Sequence, residues 1–470
     1  MQQYLLFAWG KLSEQEKSMA RSAITASTSS LSTSCSGSGM AEVAHDLLFR
    51  SLGGTPYLCH SCEIIGFKRE HLMRTVHTAL QAEDACCFQE FGELSSGTAK
   101  CSVHKELCSV DFSAFLAVIG YSCKDMSCLK AGSKKHVLQK QIGSSGSTCQ
   151  YLIAYLKAAA PKVAILENVP EMAKEEHQSD NVRYMSEAVR AAGYEIRTRL
   201  LDAQEFMLPQ RRKRAWSVLL HQRSLGLTSA EAARVLDAIF QTVEKQRARP
   251  VAAKELLLKT AGDTVEAELR RRQACCRGGG DAGGCGNSSE LHQSFMHSKG
   301  VSWAQLRAPA STEESAWFQM CTQREKEIIA FAMKYKPRLF SVDCSQRIDR
   351  TTMEDNGIIP TITPSARNFL AYVPGIKQPL NRFMLGVESL VFQGFPVELL
   401  PKSEAKASDP QYQDLAGNAF PATCILAIML AILVHVPAQP SVPDLHDVPD
   451  SQASRASGAS SLMELLGGIL

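Results

Sequence analysis

Apolar and polar positions change period several times along the chain, and each change marks an element. Phe115–Ile119 is an unbroken apolar run stopped by Gly120, the pattern of a central strand buried on both faces. Leu152, Ile153, Leu156 and Ala159 recur at helical spacing, and Val163–Leu166 then forms a second short buried strand. Tyr194–Leu200 alternates polar and apolar as a half-buried edge strand does, and Trp216–Leu220 reads as its partner. Strands alternating with helices from about Thr33 to His221 predict an α/β domain on a mostly parallel sheet.

Beyond that domain, Thr228 and Glu231 form a capping box ahead of an apolar stripe of Ala232, Val235, Leu236, Ile239 and Val243. Arg270–Ser289, with its Arg, Cys and Gly runs, reads as a disordered insertion, placed near 261–298. Order returns around Trp303–Lys336, and a further α/β stretch runs from Leu339 to Val436. Phe420–Val436 is the most hydrophobic segment. It falls short of the ~20 apolar residues that span a bilayer and reads as a core helix, so no membrane is implied. The resulting organisation is a flexible lead (1–32), a first catalytic part (33–221), a recognition region (222–356), a return to the catalytic domain (357–436) and a flexible tail (437–470).

Composition narrows the function classes. Of 470 residues, 45% are hydrophobic, which excludes a chain disordered as a whole and accommodates two or three domains. Lys and Arg total 51 against 48 Asp and Glu, a net charge of +3, so nucleic-acid contact has to come from local patches. The 16 cysteines are irregularly spaced and Met1–Gly10 lacks a basic leading region. A reduced intracellular compartment is expected, where a cysteine is core filler, metal ligand or nucleophile.

Three segments carry candidate chemistry. Gly120-Tyr121-Ser122-Cys123-Lys124-Asp125-Met126-Ser127 follows a buried strand, and loops at the carboxyl ends of parallel strands are where α/β ligand sites form. Leu166-Glu167-Asn168-Val169-Pro170 leaves a second buried strand, and its Val-Pro puts Glu167 in a loop facing the same crevice. Pro209-Gln210-Arg211-Arg212-Lys213-Arg214 is a basic segment, otherwise a solvated turn, leading into the strand at Trp216.

In this order the segments resemble the C5-cytosine methyltransferase family, with its nucleophile loop, Glu-Asn-Val and Gln-x-Arg-x-Arg. Further family segments are similar to Cys35-Ser36-Gly37-Ser38-Gly39, Cys62-Glu63, Phe88-Gln89-Glu90 and Ser145-Gly146-Ser147-Thr148. Late in the chain, Pro360–Thr363, Arg382, Glu388 and Gln393–Pro396 resemble the ninth segment, and Ala416–Pro421 the tenth. The resemblance covers about 33–221 and 357–436. It implies a Rossmann-like class I methyltransferase with a doubly wound sheet and a smaller recognition domain. It also implies transfer of a methyl group from S-adenosylmethionine to carbon 5 of cytosine.

The resemblance makes Cys123 the nucleophile, Glu167 the carboxyl group at N3 of the base, and Arg212 and Arg214 the guanidiniums that position it. Ser36, Gly37, Ser38, Gly39, Glu63, Glu90 and Asn418 would hold the cofactor, and Ser127, Asn168, Gln210 and Arg212 the substrate. DNA is the implied partner and the nucleus the implied location, with oligomeric state open. The chemistry suits these residue types. A thiolate adds readily to carbon 6 of a poorly nucleophilic ring, and a carboxyl group can supply the N3 proton. A base in a duplex has to be flipped out to be reached.

The chain departs from the family pattern at Ser122, where the family has Pro, at Lys124–Met126, and at Glu90, where it has Asp. Two alternatives stay open: the same reaction on transfer RNA, whose Cys-Phe-Thr signature is missing here, and a catalytically degenerate binding module. Cys59-His60-Ser61-Cys62 has metal or redox spacing but falls on a strand. Cys275, Cys276, Cys285, His292 and His297 have non-standard spacings, and Arg270–Arg272 with Arg277 reads as a solvated charge run, so no metal site is expected.

Overall fold

The structure is a computed structural model that describes residues 1–24, 28–126, 136–259, 262–278, 286–301, 306–400 and 407–436. Residues 1–438 form one compact unit. Its centre is a seven-stranded sheet of β1 (Ser30–Ser34), β2 (Tyr57–Cys62), β3 (Cys86–Phe88), β6 (Leu116–Ile119), β7 (Val163–Asn168), β8 (Tyr194–Asp202) and β9 (Lys213–His221). A hairpin of β4 (Thr98–Lys100) and β5 (Leu107–Ser109) stands between β3 and β6. The sheet order is β3-β2-β1-β6-β7-β9-β8. All pairings are parallel except those of β9, which runs antiparallel to both β7 and β8.

Both faces are covered, as expected of apolar runs without alternation. Leu116, Val118, Val163 and Ile165 point into a core shared with the Met40–Ser51, Ser229–Lys245 and Ala422–His435 helices. Ala117, Ile119, Ala164 and Leu166 point the other way, toward the Gly143–Ala159 and Asp180–Ala191 helices. This is the doubly wound α/β arrangement the sequence predicts. The Asp409–His435 stretch is long and apolar enough to cross a bilayer, yet 94% of its apolar window is buried inside the protein.

A second, smaller core lies beside the main one. It is built on the antiparallel sheet β11-β10-β12-β13, from β10 (Ser341–Asp343), β11 (Met353–Glu354), β12 (Asn368–Leu370) and β13 (Arg382–Phe383). The Gln323–Tyr335 helix covers it. Its members run from Leu258 to Val387, so its limits differ from 222–356. The Ser229–Lys245 helix belongs to the main core, because its apolar stripe covers β8 and the Ala422–His435 helix.

Three expectations are corrected. Residues 1–24 are not a flexible lead but two helices, Gln2–Gly10 and Glu14–Ser22, the second opened by a Ser13–Glu16 capping box. Tyr4, Leu5, Ala8 and Trp9 are buried in the main core, and the Tyr4 hydroxyl donates to the Gln246 carbonyl at 3.2 Å. The supposed insertion contains the Asp263–Gly278 and Gly286–Ser298 helices. Arg272 explains part of that order: it bonds Glu268 at 2.7 Å and Asp409 at 2.8 Å and lies over the Trp317 ring. Finally, Glu167 and Asn168 are not in a loop but close β7, paired with Trp216 and Ala215.

Candidate active site

The nucleophile segment leaves the carboxyl end of β6 and is fastened on two sides. From the start of the Gly143–Ala159 helix, Thr148 Oγ1 accepts the Ser122 amide at 3.1 Å and Ser144 Oγ meets Ser122 Oγ at 2.9 Å. Ser145 Oγ accepts the Asp125 amide at 2.9 Å, and the Asp125 carboxylate accepts the Ser145 amide at 3.0 Å, capping the helix from outside. From β7, Asn168 Nδ2 donates to the Tyr121 carbonyl at 3.1 Å. Cys123, half-buried, is therefore held by its neighbours on either side. Ser127 lies outside the described residues.

Glu167 and Arg214 meet beside it, with Arg214 Nε 3.0 Å from Glu167 Oε1. The contact follows from strand register. Glu167 opposes Trp216 on the antiparallel β9, so Arg214, two residues earlier, projects from the same face as its diagonal neighbour. Burial pushes the Glu167 carboxyl above the usual carboxylate range, and Arg214 and Arg212 pull it back only in part. Burial likewise pushes the Cys123 thiol up, the Glu167 carboxylate adds to this, and Arg214 and Arg212 oppose it. The thiol, carboxyl and guanidinium groups are thus electrostatically coupled, in a site that favours a protonated carboxyl group.

Arg212 takes a different part. Its side chain is buried, with Nη1 donating to the Ile362 carbonyl at 2.8 Å and Nη2 to those of Gly417 and Ala419 at 3.1 and 2.9 Å. Gln210 is also buried: its amide exchanges hydrogen bonds with Gln393 at 3.0 and 3.2 Å, and its Oε1 accepts the Ile362 amide at 3.2 Å. Gly417 permits this docking, since a Cβ there would stand 2.1 Å from the Pro364 nitrogen. Arg211 pairs with Glu354 at 2.9 Å. The expectation that Gln210 and Arg212 hold the substrate is thus corrected. They bind the returning segment, and of the three arginines it is Arg214 that pairs with Glu167.

Sheet order reverses between β1 and β6, the position at which open α/β sheets hold ligands beyond their strand ends. The loop after β1 carries Cys35, Gly37 and Gly39 at φ of +56°, +58° and +75°, an alternating left-handed path that only glycine adopts without strain. Gly39 has a second reason to be glycine, because a Cβ would meet a Val76 methyl at 2.6 Å. Glu63, at the end of β2, accepts the Gly37 amide at 3.0 Å and the Ile65 amide at 3.0 Å. Glu90 stands exposed at the end of β3, next to Glu63, whose amide bonds the Phe88 carbonyl. Ser36 turns inward to the Cys62 carbonyl, and Ser38 is fully buried, so these two offer backbone rather than side chains. Asn418, exposed, donates to Asp414.

The family model for C-5 cytosine-specific DNA methylases matches residues 104–433. The chain belongs to this family. A DNA (cytosine-5-)-methyltransferase DMT5 of Cryptococcus neoformans var. grubii serotype A is 25% identical over 439 residues, which are 86% of this chain and 17% of that protein. The chain therefore spans about a sixth of the length of that curated relative. Among solved structures, the S. pombe Dnmt2 methyltransferase aligns over 86% of this chain and 97% of its own, at 12% identity and a TM-score of 0.47. A putative DNA modification methyltransferase from an E. coli prophage aligns over 86% and 98%, at 14% identity and a TM-score of 0.45.

For a C5-cytosine methylase the site is assembled but unevenly distributed. Cys123, Glu167 and Arg214 converge, while Asn168, Gln210 and Arg212 are buried and hydrogen-bonded to neighbouring backbone. The cofactor loop and Glu63 precede the matched segment, and their place comes from the sheet itself. The β1–β6 switch point fits S-adenosylmethionine chemically: a glycine turn without side chains at a helix start, one carboxylate fixed by two amides, and a second exposed carboxylate on the adjacent strand. Sequence reading overlooked the Ser144, Ser145 and Thr148 cradle as a hold on the nucleophile. The three hydroxyls within one helical turn were its only signal.

Proposed function

We propose that the chain transfers a methyl group from S-adenosylmethionine to carbon 5 of cytosine in DNA, with Cys123 as the nucleophile. The observation that carries this reading is the meeting of Glu167 and Arg214 at 3.0 Å beside the Cys123 loop, at the carboxyl end of the sheet. The Cys123 thiolate adds to carbon 6 of a flipped-out cytosine, and the electron pair moves into the ring toward carbon 5. Glu167, whose carboxyl group burial shifts toward its protonated form, gives a proton to N3 as charge develops there. Arg214 holds that carboxyl group in place and offers its remaining N–H donors to the base oxygen. When bound, S-adenosylmethionine supplies the electrophilic methyl group that carbon 5 accepts. Loss of the carbon 5 proton to solvent, breakage of the sulfur–carbon 6 bond and return of the N3 proton to Glu167 restore the Cys123 thiolate and the starting carboxyl group.

Glu63 and Glu90 would hold the cofactor's ribose and adenine, and Gly37 and Gly39 its approach to the backbone. With DNA as substrate we place the chain in the nucleus. Incubating purified protein with methyl-labelled S-adenosylmethionine and either duplex DNA or transfer RNA tests the reading. Label is expected in DNA cytosine and absent with Cys123→Ser. Label confined to RNA, or equal transfer by the wild type and Cys123→Ser, contradicts it.

A further inference from the structure

Cys86, Cys101, His104 and Cys108 gather at the β3 edge of the sheet, with their ligand atoms all within 4.8 Å of one another. The His104 Nδ1 lies 3.6 Å from Cys86 Sγ, 3.5 Å from Cys101 Sγ and 3.4 Å from Cys108 Sγ. One Nδ1 carries a single proton or a single lone pair, so it cannot hydrogen-bond three sulfurs at once. Three nearly equal distances instead describe one corner of a coordination polyhedron. With Zn–S near 2.3 Å and Zn–N near 2.0–2.1 Å, a tetrahedron has S···N edges of about 3.5 Å.

Three elements supply the four side chains. Cys86 opens β3, the edge strand of the main sheet. Cys101 follows β4, His104 lies in the turn, and Cys108 sits in β5 opposite Ala99. Backbone contacts already dock this hairpin on β3: Ser102 donates to the Cys87 carbonyl at 2.8 Å and Gln89 to the Lys100 carbonyl at 3.1 Å. The turn between Cys101 and Cys108 closes through a left-handed Lys105 at φ +61°, which brings His104 back toward both sulfurs.

We propose that Cys86, Cys101, His104 and Cys108 bind one zinc ion that clips the β4–β5 hairpin to the sheet edge. Three thiolates and an imidazole at tetrahedral spacing favour zinc over oxygen-seeking cations. The set of four ligands is complete, so the role is structural rather than catalytic. The clip covers the exposed edge of β3, whose far end leads to Glu90. Neither the geometry nor the ion depends on methyl transfer.

Elemental analysis of the purified, reduced chain tests this directly. One zinc per chain is expected, with loss of the ion and a lower thermal midpoint in Cys101→Ser. Cys108 lies nearer the surface, so Cys108→Ser keeps the test decisive if Cys101→Ser fails to fold. That variant should retain the fold, bind zinc weakly and release it to a mild chelator. Cobalt exchanged into the wild type should show thiolate-to-cobalt charge transfer and tetrahedral d–d bands, both lost in Cys108→Ser. Absence of zinc from the reduced protein, zinc content unchanged in both variants, or a disulfide among these cysteines under reducing purification would overturn the proposal.

Discussion

Arg214 and Glu167 form an ion pair across two antiparallel strands, Nε to Oε1 at 3.0 Å, and the pair borders the Cys123 loop. The strand register that joins them also gives them a joint role, in which the guanidinium fixes a carboxyl group that burial shifts toward its protonated form. Arg214→Ala should lower kcat by about 100-fold, in the range for loss of one preorganised donor, while leaving the fold intact. Arg214→Lys should recover only part of the loss, because an ammonium cannot hold the carboxyl group in a fork. Single-turnover methyl transfer with a parallel melting curve checks both statements.

Arg212 should behave oppositely. It serves three backbone carbonyls of the returning segment, so Arg212→Met leaves buried acceptors unsatisfied and costs about 3 kcal/mol or more of stability. Activity and melting temperature should then fall together, unlike in Arg214→Ala. Denaturant titration of the two variants side by side separates a latch from a catalytic group.

The thiol gives a pH prediction with a defined sign. Burial and the Glu167 carboxylate raise the Cys123 thiol above its usual value, so little thiolate exists near neutrality. Alkylation of Cys123 should rise about tenfold per pH unit through and beyond the ordinary thiol range. Glu167→Gln removes the opposing charge and should speed Cys123 alkylation at fixed pH while abolishing methyl transfer. Arg214→Ala should slow alkylation. Peptide mapping after timed iodoacetamide treatment follows Cys123 among the other cysteines.

Much of the fold was legible in the sequence, and the reasons differ by region. β6 and β7 announce themselves because strands buried on both faces need unbroken apolar runs, and Ala422–His435 does so because it is apolar all round. The N-terminal helices were hidden by the Ser and Thr run that follows them. Tyr4, Leu5, Ala8 and Trp9 are buried only because other helices come to cover them. Within Gln210-x-Arg212-x-Arg214 the alternation gives three residues one side of an extended segment. Only the docking of Ile362, Gly417 and Ala419 separates the latch from the residue left facing Cys123. The Cys86–Cys108 cluster escaped notice because its first two sulfurs are fifteen positions apart and meet only through the β3–hairpin contact.

Ser122, where the family has proline, is compensated by its neighbours. Its amide and hydroxyl bond Thr148 and Ser144, contacts a proline could not make. Ser122→Pro should therefore impair the enzyme, with about 1–2 kcal/mol of lost loop order and roughly a tenfold fall in kcat. A gain in rate would show that the serine is a defect.

The central claim is that Cys123 attacks carbon 6 of cytosine, and a mechanism-based trap tests it most directly. With duplex DNA carrying 5-fluorocytosine and S-adenosylmethionine, the adduct cannot lose fluorine in place of the carbon 5 proton and should persist through denaturation. The account predicts a denaturation-stable protein–DNA species whose cross-linked peptide contains Cys123, absent in Cys123→Ser. No such species with the wild-type chain, or the same species in Cys123→Ser, would contradict it.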